Sequence, residues 1–596
     1  MNALSSLRDP LPAAPRWLLA AIGGAGLAAL VVVLAPTAVA RRLTVSTLPA
    51  GADLTYARDL LRYLAIAAAV MLVVLAAWWR LAPRFRMLDL GRWVLAATLA
   101  VYVAAALSMW WYVDDDAGIS FTFARNLADG HGLIFNPGEP PVEGYSNPLW
   151  VALLAGARLA HLDIILTAKV LGLACGVLGL LVLWRAVRAL HPVAWLALPL
   201  AGLNAAAVVW TNSGLENALH ALLLIATVVL LPAAEQRSRA RVALIIVLCM
   251  LTVSRPEGLM FALAAATYLA VRAWRRHQRW WPALGVAVLP LLVFAGMVIF
   301  RLTYFGDPLP NTFYAKASSS NPLRLLNPNS GGWAYVAEAV SGCGWTLGLL
   351  PILIALAAAG RGTVVSSAGV VVAAQLFFVV TVGGDWMKEF RFIAPIVPAV
   401  SLLIGAGLAR IVELLQRAGL AAWRPGVACG VLTSLIVYPQ VQRLIAFAHD
   451  PTTPLTTVAA IGDYFKDLGA KAGLEDPLLL HHDAGGTSFL SRIHLLDLAG
   501  LCDRTIAHGW RDHEAMRRYI FEERRPDFIY SGPHFAQRIG LEEFPDFQRD
   551  YVPLPPAPTP ELDGYIRRVR RDLYPRIFGR PAPPAELGAP SDATNE

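Results

Sequence analysis

The chain has 596 residues, of which 57% are hydrophobic and only 15% are charged. A soluble globular protein carries about 25% charged residues, so this composition excludes a soluble multidomain enzyme, a disordered protein and a fibrous protein. The mean hydropathy of +0.53 instead indicates a polytopic membrane protein. The net charge is +8. Because the arginines concentrate in short loops between apolar runs, we attribute this charge to membrane orientation and expect no nucleic-acid partner.

Thirteen apolar runs without a charge are candidates for membrane spans, because a span needs about 20 mostly apolar residues. The runs occupy residues 17–40, 63–79, 93–113, 170–184, 189–215, 217–234, 242–254, 258–271, 280–300, 339–360, 362–384, 392–409 and 425–442. The two short runs around residues 255–258 form either two short spans or one broken hairpin. The sequence therefore predicts a mainly α, polytopic membrane protein with about 13 transmembrane helices.

Basic residues fall in alternate loops, and this alternation orients the chain by the positive-inside rule. With the N-terminus in the cytoplasm, the cytoplasmic side receives the basic clusters at residues 80–92, 185–188, 237–241, 272–279, 361 and 410–424. The opposite side receives residues 114–161, 211–216, 254–257, 303–335, 383–391 and everything after about residue 445. These outer segments hold almost all the residues of chemical interest.

The C-terminal region differs in composition from about residue 450, where charges and prolines become frequent. Short runs at residues 478–482, 494–498 and 527–531 predict strands, and residues 511–524 predict a helix between two of them. This alternation is typical of a small α/β domain. The predicted organisation is N-terminal transmembrane helices over 1–113, a first outer loop over 114–163, a transmembrane core over 164–445, the α/β domain over 446–580 and a disordered tail over 581–596.

Three adjacent carboxylates, Asp114, Asp115 and Asp116, follow the third apolar run. Their mutual repulsion and the nearby bilayer both raise carboxyl pKa values. This environment suits a general base or a cation site in an interfacial cleft, whereas the alternative is a solvated cap at a helix end. The apolar spacing over residues 119–127 then predicts an amphipathic helix on the membrane surface.

Further outer segments combine polar and aromatic residues. Glu143, Tyr145, Asn147 and Trp150 together have the hydrogen-bonding groups and rings of a sugar-binding surface. The other candidates on this side are Glu216, Arg255, Glu257, Asn311, Lys316, Asp385, Trp386 and Arg391. Lys316 and Arg391 run against the orientation bias, which suggests an anionic partner. Each segment taken alone could also be an ordinary loop.

One cluster, His481, His482 and Asp483, invites a metal hypothesis. Neighbouring residues on a strand point to opposite faces, so the two histidines are poor joint ligands. We therefore predict no metal-ligating residues, and a divalent metal cofactor stays an open alternative.

Seven motifs in chain order resemble a known family. They are Asp-Asp-Ala at 115–117, Val-Glu-Gly-Tyr-Ser-Asn-Pro-Leu-Trp at 142–150, Ser-Gly-Leu-Glu at 213–216, Arg-Pro-Glu-Gly at 255–258, Gly-Asp-Pro-Leu-Pro-Asn-Thr at 306–312, Gly-Gly-Asp-Trp-Met at 383–387 and Leu-Asp-Leu-Ala-Gly-Leu at 496–501. Together they resemble the terminal arabinofuranosyltransferases of mycobacterial cell walls and their wider bacterial relatives. These proteins belong to the GT-C superfamily of polytopic glycosyltransferases.

The resemblance implies transfer of a sugar, with arabinofuranose as a candidate, from a polyprenyl-phosphate donor to an envelope glycan or protein. It implies a bacterial inner membrane with the active site and the C-terminal domain on the periplasmic side. It also implies that Asp115 is the catalytic base and Asp116 its neighbour. Gly118 departs from the family, whose members usually carry an aromatic residue there.

A mechanism follows from these residue types. A carboxylate accepts the proton of the acceptor hydroxyl, and cations stabilise the departing phosphate. We expect the phosphate to be bound, in falling order, by Arg391, Lys316 and Arg255. We expect the substrates to be bound by Asp114, Glu143, Tyr145, Asn147, Glu216, Glu257, Asn311, Asp385 and Trp386. One base without a protein nucleophile gives a single displacement and inversion at the anomeric carbon.

Other classes of function fit the same composition. One alternative is a catalytically inactive protein of envelope or flagellar assembly, and another is a polymerase that uses a diphosphate-linked oligomer. A third is a transporter of lipid-linked glycans. Transporters place ionisable residues near the bilayer midplane, whereas the charges here lie at the ends of spans.

Overall fold

The computed structural model describes residues 87–316, 322–359, 363–420, 423–556 and 565–584. The predicted spans at 17–40 and 63–79, and most of the predicted tail over 581–596, lie outside the described residues. The described part consists of a helical body and a C-terminal domain that contains one five-stranded sheet.

Six helices in the described residues are long and apolar enough to cross a membrane. They are α1 (Met87–Ser108), α4 (Ile164–Val187), α10 (Trp281–Tyr304), α14 (Val364–Val382), α15 (Val397–Arg417, preceded by a 3-10 turn at Ala394–Ile396) and α16 (Trp423–His449). The intervening helices are α2 (Asp115–Ala128), α3 (Pro148–Leu159), α5 (Ala197–Gly202), α6 (Ala205–Asn212), α7 (Asn217–Ala233), α8 (Ser238–Ser254), α9 (Gly258–Arg275), α11 (Asn311–Lys316), α12 (Gly331–Gly342) and α13 (Leu349–Ala358). The prediction of a mainly α, polytopic membrane protein is confirmed.

Two predicted spans are bent rather than straight. The run at 189–215 forms Pro192–Gly202 and Ala205–Asn212, which meet at 48°. The run at 339–360 falls in Gly331–Gly342 and Trp345–Ala358, which meet at 86°, and Gly344 at this break has a φ of 70°. The apolar pattern continues through both breaks, so hydropathy does not reveal them. The number of about 13 spans stays a prediction.

The region around residues 255–258 forms two separate helices, α8 and α9, which pack against each other. A break of three residues separates them, from Arg255 to Glu257. Helix α8 has 17 residues and helix α9 has 18. The break therefore brings a charged tripeptide to the end of both helices.

The C-terminal domain begins after α17 (Leu455–Lys471) and has a mixed sheet in the order β2-β1-β3-β5-β4. Strands β1 (Leu478–His481), β2 (His494–Asp497) and β3 (Phe528–Ser531) pair in parallel, and β4 (Tyr551–Pro553) and β5 (Ile566–Arg570) add antiparallel neighbours. Its helices are α18 (Arg504–Gly509), α19 (His513–Arg517), α20 (Pro533–Ile539), α21 (Pro545–Asp550) and α22 (Tyr574–Phe578). The predicted α/β domain and its first three strands are confirmed. Strands β4 and β5 were not predicted from the sequence. Strand β5 carries three arginines and lacks an apolar run.

Helix α2 differs from its prediction as a helix on the membrane surface. It packs against α3 on one side and against α17 and the turn Thr487–Ser491 on the other. Most of its residues are therefore buried, including the polar Ser120 and Thr122. The amphipathic spacing predicted the helix correctly, but a protein domain rather than water covers its polar face.

Candidate active site

A cavity of about 910 Å³ lies between the helical body and the C-terminal domain, which contributes Leu501 to its wall. Of the 14 predicted site residues, ten line this cavity: Asp116, Tyr145, Asn147, Glu216, Arg255, Glu257, Lys316, Asp385, Trp386 and Arg391. The other four, Asp114, Asp115, Glu143 and Asn311, do not. The outer segments singled out in the sequence therefore converge on one site.

The three adjacent aspartates point to three different places. Asp114 caps helix α2, and its Oδ1 accepts a hydrogen bond of 3.1 Å from the backbone N–H of Asp116. Its Oδ2 accepts a hydrogen bond of 2.6 Å from the Tyr112 hydroxyl. Burial, and secondarily the Asp116 charge, raise the pKa of Asp114 to about 7. The Asp114 side chain thus supports the start of α2 and does not reach the cavity.

Asp115 faces the C-terminal domain. Its carboxylate oxygens accept hydrogen bonds from the backbone N–H groups of Gly485 and Gly486, at 3.1 and 2.7 Å. Burial, and secondarily the neighbouring Asp483, raise the pKa of the Asp115 carboxyl. These contacts join the first loop to the C-terminal domain, and they do not favour Asp115 as the base that meets a substrate.

Asp116 is the member of the run that lines the cavity. The Nη1 of Arg391 donates a hydrogen bond of 2.7 Å to its Oδ2. Arg391 also donates from Nε and Nη2 to Asp385, at 2.7 and 3.2 Å. The Asp116 side chain is 28% exposed and that of Asp385 only 4%. Asp116 is therefore the accessible carboxylate of a cluster in which Arg391 binds two acids.

Burial of Arg391 acts to lower its pKa, but the charges of Asp385 and Asp116 outweigh burial and raise it. The guanidinium also lies 5.2 Å from the centre of the Phe392 ring. A tight turn brings Arg391 to this place, with φ values of 94° at Gly383 and 88° at Gly384. A Cβ at Gly384 would come within 2.7 Å of Tyr335. The glycine pair in the motif at 383–387 is thus required by the backbone.

A second buried network also lines the cavity. Arg255 donates from Nε to Glu257 at 2.6 Å and from Nη1 to Glu216 at 2.5 Å. Asn147 donates to the other oxygen of Glu216, and the Ser120 hydroxyl donates to Asn147 at 3.0 Å. The network joins three outer segments, at 114–161, 211–216 and 254–257. Like Arg391, Arg255 binds two carboxylates.

Glu143 and Asn311 are held by structural contacts away from the cavity. Glu143 forms a two-point ion pair with Arg301, at 2.6 and 3.1 Å. The Asn311 amide donates to the carbonyl oxygens of Gly500 and Leu501, at 2.8 and 2.9 Å. Both residues connect the loops around the cavity, and this geometry does not place them against a substrate.

The sequence interpretation missed several lining residues. Ser120 belongs to α2, and Tyr335 and Glu338 belong to α12. The Tyr335 hydroxyl accepts a hydrogen bond of 3.4 Å from the backbone N–H of Phe392. Residue 335 ended a predicted outer segment, but no motif distinguished it. Glu338 fell between the predicted outer segment at 303–335 and the predicted span at 339–360, and belonged to neither.

The cavity residues do not fit a divalent metal. Asp116 and Asp385, the carboxylates that could share a cation, both bind Arg391. Within the described ranges, no three His, Cys, Asp or Glu side chains are grouped as metal ligands would be. In the predicted His cluster, His481 interacts with the carbonyl oxygen of Tyr530 at 2.9 Å, whereas His482 stacks on Phe535.

Residues 457–570 match a domain of unknown function, DUF8728. No curated protein matches the chain at the level of sequence. This family model covers α17 and the C-terminal domain as far as β5, and its description assigns no function to the cavity.

Two solved structures share the architecture at low sequence identity. ArnT from Cupriavidus metallidurans, bound to undecaprenyl phosphate, has a TM-score of 0.52 and 16% identity, over 81% of this chain and 99% of that chain. The oligosaccharyltransferase of Archaeoglobus fulgidus in the apo form has a TM-score of 0.51 and 9% identity, over 81% of this chain and 77% of that chain. The resemblance found in the motifs is therefore confirmed for the architecture, and this membrane protein has the GT-C fold.

Proposed function

We propose that this protein is an inverting membrane glycosyltransferase that moves a sugar from a polyprenyl-phosphate donor to an envelope glycan or protein. The observation that carries the proposal is the cavity, where the accessible carboxylate of Asp116 lies among three cationic side chains. Glycosyl transfer from a phosphate needs a base for the acceptor and positive charge for the leaving group. The undecaprenyl phosphate in the ArnT structure supports a lipid-linked donor.

Asp116 is the general base in this proposal, in place of Asp115. The Asp115 carboxylate is buried against Gly485 and Gly486, whereas Asp116 lines the cavity. As the acceptor oxygen attacks the anomeric carbon, its proton passes to Asp116. The bond from the anomeric carbon to the phosphate oxygen breaks, and the electron pair stays on the phosphate. A single displacement of this kind inverts the anomeric configuration.

In this proposal Lys316 is the main ligand of the donor phosphate among the three cationic side chains. Its side chain is exposed to the cavity, whereas Arg255 and Arg391 are only 8% and 7% exposed. The two arginines already bind two carboxylates each, so they orient the acids and contribute positive charge from the wall. This order differs from the sequence expectation, which put Arg391 first.

The sugar is bound by the second network and by aromatic side chains. Asn147 and Glu216 supply an amide and a carboxylate, and Tyr145 and Trp386 supply rings. Trp386 is 70% exposed, which leaves its ring available to a substrate. Arabinofuranose remains the candidate sugar on the strength of the motifs. We further propose that the cavity faces the periplasm from a bacterial inner membrane.

The decisive experiment is transfer by the Asp116→Asn variant. The full chain in detergent is assayed with a panel of polyprenyl-phosphate sugars that includes arabinofuranose, and release of polyprenyl phosphate is measured. Loss of a general base lowers kcat by about 10²–10⁴-fold. The matched control is Asp129→Asn, which removes an exposed carboxylate just after the same helix and should leave kcat unchanged.

The same assay separates the alternatives. Full activity in a folded Asp116→Asn variant would refute the base assignment. If the wild-type chain transferred none of the sugars, the proposal would give way to an inactive assembly protein. Movement of a lipid-linked glycan across proteoliposomes without transfer would favour the transporter.

A further inference from the structure

A second large cavity lies on the flank of the helical body, distinct from the candidate active site. It has a volume of about 850 Å³ and is a groove between α9, α14 and the end of α13. Its walls include the large apolar side chains Leu263, Val271, Leu356 and Phe377, each 40–47% exposed. Small residues such as Ala373 also line it. An exposed groove of this composition in a membrane protein is suited to a hydrocarbon chain.

The groove is polar at one end only. Arg272, Arg275 and Arg276 line it at the C-terminal end of α9. Glu235 forms ion pairs with Arg272 and Arg276. Arg275 is exposed and has no ion pair with any residue in the described ranges. Three guanidinium groups face one carboxylate, so this end carries an excess of positive charge.

Two hydroxyl groups lie along the groove next to the arginines. The Tyr268 hydroxyl and the Ser366 hydroxyl are hydrogen-bonded at 2.6 Å. Both residues line the groove, and the Arg272 guanidinium lies 5.6 Å from the centre of the Tyr268 ring. The lining thus changes from cationic to hydroxyl to apolar along α9. The headgroup, glycerol and acyl chains of a phospholipid follow each other in the same order.

Helix α9 separates the groove's charged end from the active-site cavity. Glu257 precedes the helix and lines the active-site cavity, while Arg275 ends the helix. A helix of 18 residues is about 27 Å long, close to the roughly 30 Å of a bilayer's hydrocarbon core. The arginines therefore lie at the opposite membrane surface from Asp116.

We propose that this groove binds an anionic phospholipid of the surrounding bilayer. The phosphate lies against Arg275 and Arg276, and the acyl chains run along α9 and α14 towards Phe377. Basic pockets between membrane helices bind anionic headgroups in this way. A prenyl chain entering from the active-site cavity would instead bring hydrocarbon against the arginines, which is unfavourable because their charges would lose hydration.

The test compares two pairs of arginines on the same side of the protein. The full chain in dodecyl maltoside is titrated with phosphatidylglycerol, and bound lipid is counted by native mass spectrometry. Arg275→Gln with Arg276→Gln should weaken binding about 30-fold, since each headgroup contact contributes about 1 kcal/mol. Arg237→Gln with Arg239→Gln removes two exposed arginines outside the groove and should leave binding unchanged.

A second variant tests the apolar part without changing charge. Ala373→Trp places an indole in the groove, whereas Leu289→Trp places one on the exposed face of α10. Only the first should abolish the bound phosphatidylglycerol and the rise in Tm that the lipid produces. These measurements do not depend on glycosyl transfer, so their outcome is independent of the proposed function.

Three results would overturn the proposal. One is equal loss of phosphatidylglycerol from both arginine double variants. Another is binding of phosphatidylcholine as tight as that of phosphatidylglycerol, which would show that no anionic headgroup is recognised. The third is tighter binding of polyprenyl phosphate than of phosphatidylglycerol to the wild-type protein, lost in Ala373→Trp, which would make the groove a site for the prenyl chain.

Discussion

Charged side chains around the cavity have two different roles, and their exposure separates them. Asp116 and Lys316 reach the cavity and can meet a ligand. Glu143 and Arg301 are 4% and 5% exposed and bind each other. Removing one partner of a buried pair leaves an uncompensated charge in a medium of low dielectric constant. The ion pair between Glu143 and Arg301 should therefore act on stability rather than on substrate binding.

The Arg301→Met variant tests this role. We expect the free energy of unfolding to fall by about 3–5 kcal/mol, because Glu143 stays buried without its partner. Replacing both residues, as Glu143→Gln with Arg301→Met, should recover much of the loss. Unfolding in detergent is followed by tryptophan fluorescence.

The control for this pair is an exposed one. Arg158 and Asp129 form an ion pair with side chains 46% and 38% exposed, so Arg158→Met should change stability by less than about 1 kcal/mol. Equal effects of Arg301→Met and Arg158→Met would contradict the structural role. A rise in KM for Glu143→Gln at unchanged stability would restore the sequence expectation of a substrate-binding residue.

At the scale of elements, the position of α2 depends on close backbone contact with the C-terminal domain. A Cβ on Gly118 would lie 2.5 Å from the Gly485 backbone and from the Leu455 side chain. A Cβ on Gly485 would lie 1.8 Å from the Asp115 carbonyl oxygen. An aromatic side chain at position 118 has no room here. The two glycines allow the domain to approach the helix that carries Asp116.

The Gly118→Ala variant should push α2 away from the domain. We expect a loss of about 1–3 kcal/mol in stability from overpacking and a fall in kcat of about 100-fold, since small misplacements of a catalytic group are costly. The matched control is Gly156→Ala in α3, where nothing lies within 4 Å of the added Cβ. This change should stabilise the helix by about 0.5–1 kcal/mol. Wild-type kcat and stability in Gly118→Ala would show that the contact is not needed.

At the scale of the whole molecule, the basic clusters predict the orientation of the chain. Asp450, whose side chain is 73% exposed, lies on the side of the active-site cavity, where it pairs with Lys388. Arg237 lies in a basic cluster between α7 and α8. The positive-inside rule puts Arg237 in the cytoplasm and Asp450 outside.

Single cysteines test this orientation in spheroplasts. Asp450→Cys should react with a membrane-impermeant maleimide in intact spheroplasts, and Arg237→Cys should react only after permeabilisation. The five native cysteines are buried or half-buried, so the background is low. The reverse labelling pattern would contradict the proposed orientation and place the cavity in the cytoplasm.

Much of the architecture follows from local patterns in the sequence. Hydropathy locates α4, α10 and α14, and short apolar runs locate β1 to β3. Strand β5 was missed because its burial comes from pairing with β3 and β4 and not from its own composition. The bend at Gly344 was missed because an apolar run does not record the direction of the helix axis.

The sequence by itself determined the class of protein, the apolar helices and the segments that meet at the cavity, because hydropathy, charge and short motifs are local properties. Only the tertiary structure decided which aspartate of 114–116 reaches that cavity. Successive residues in a helix point about 100° apart, so only one of them can face a given neighbour. The neighbour that holds Asp115 is Gly485, 370 residues away, and no local pattern records a contact at that separation.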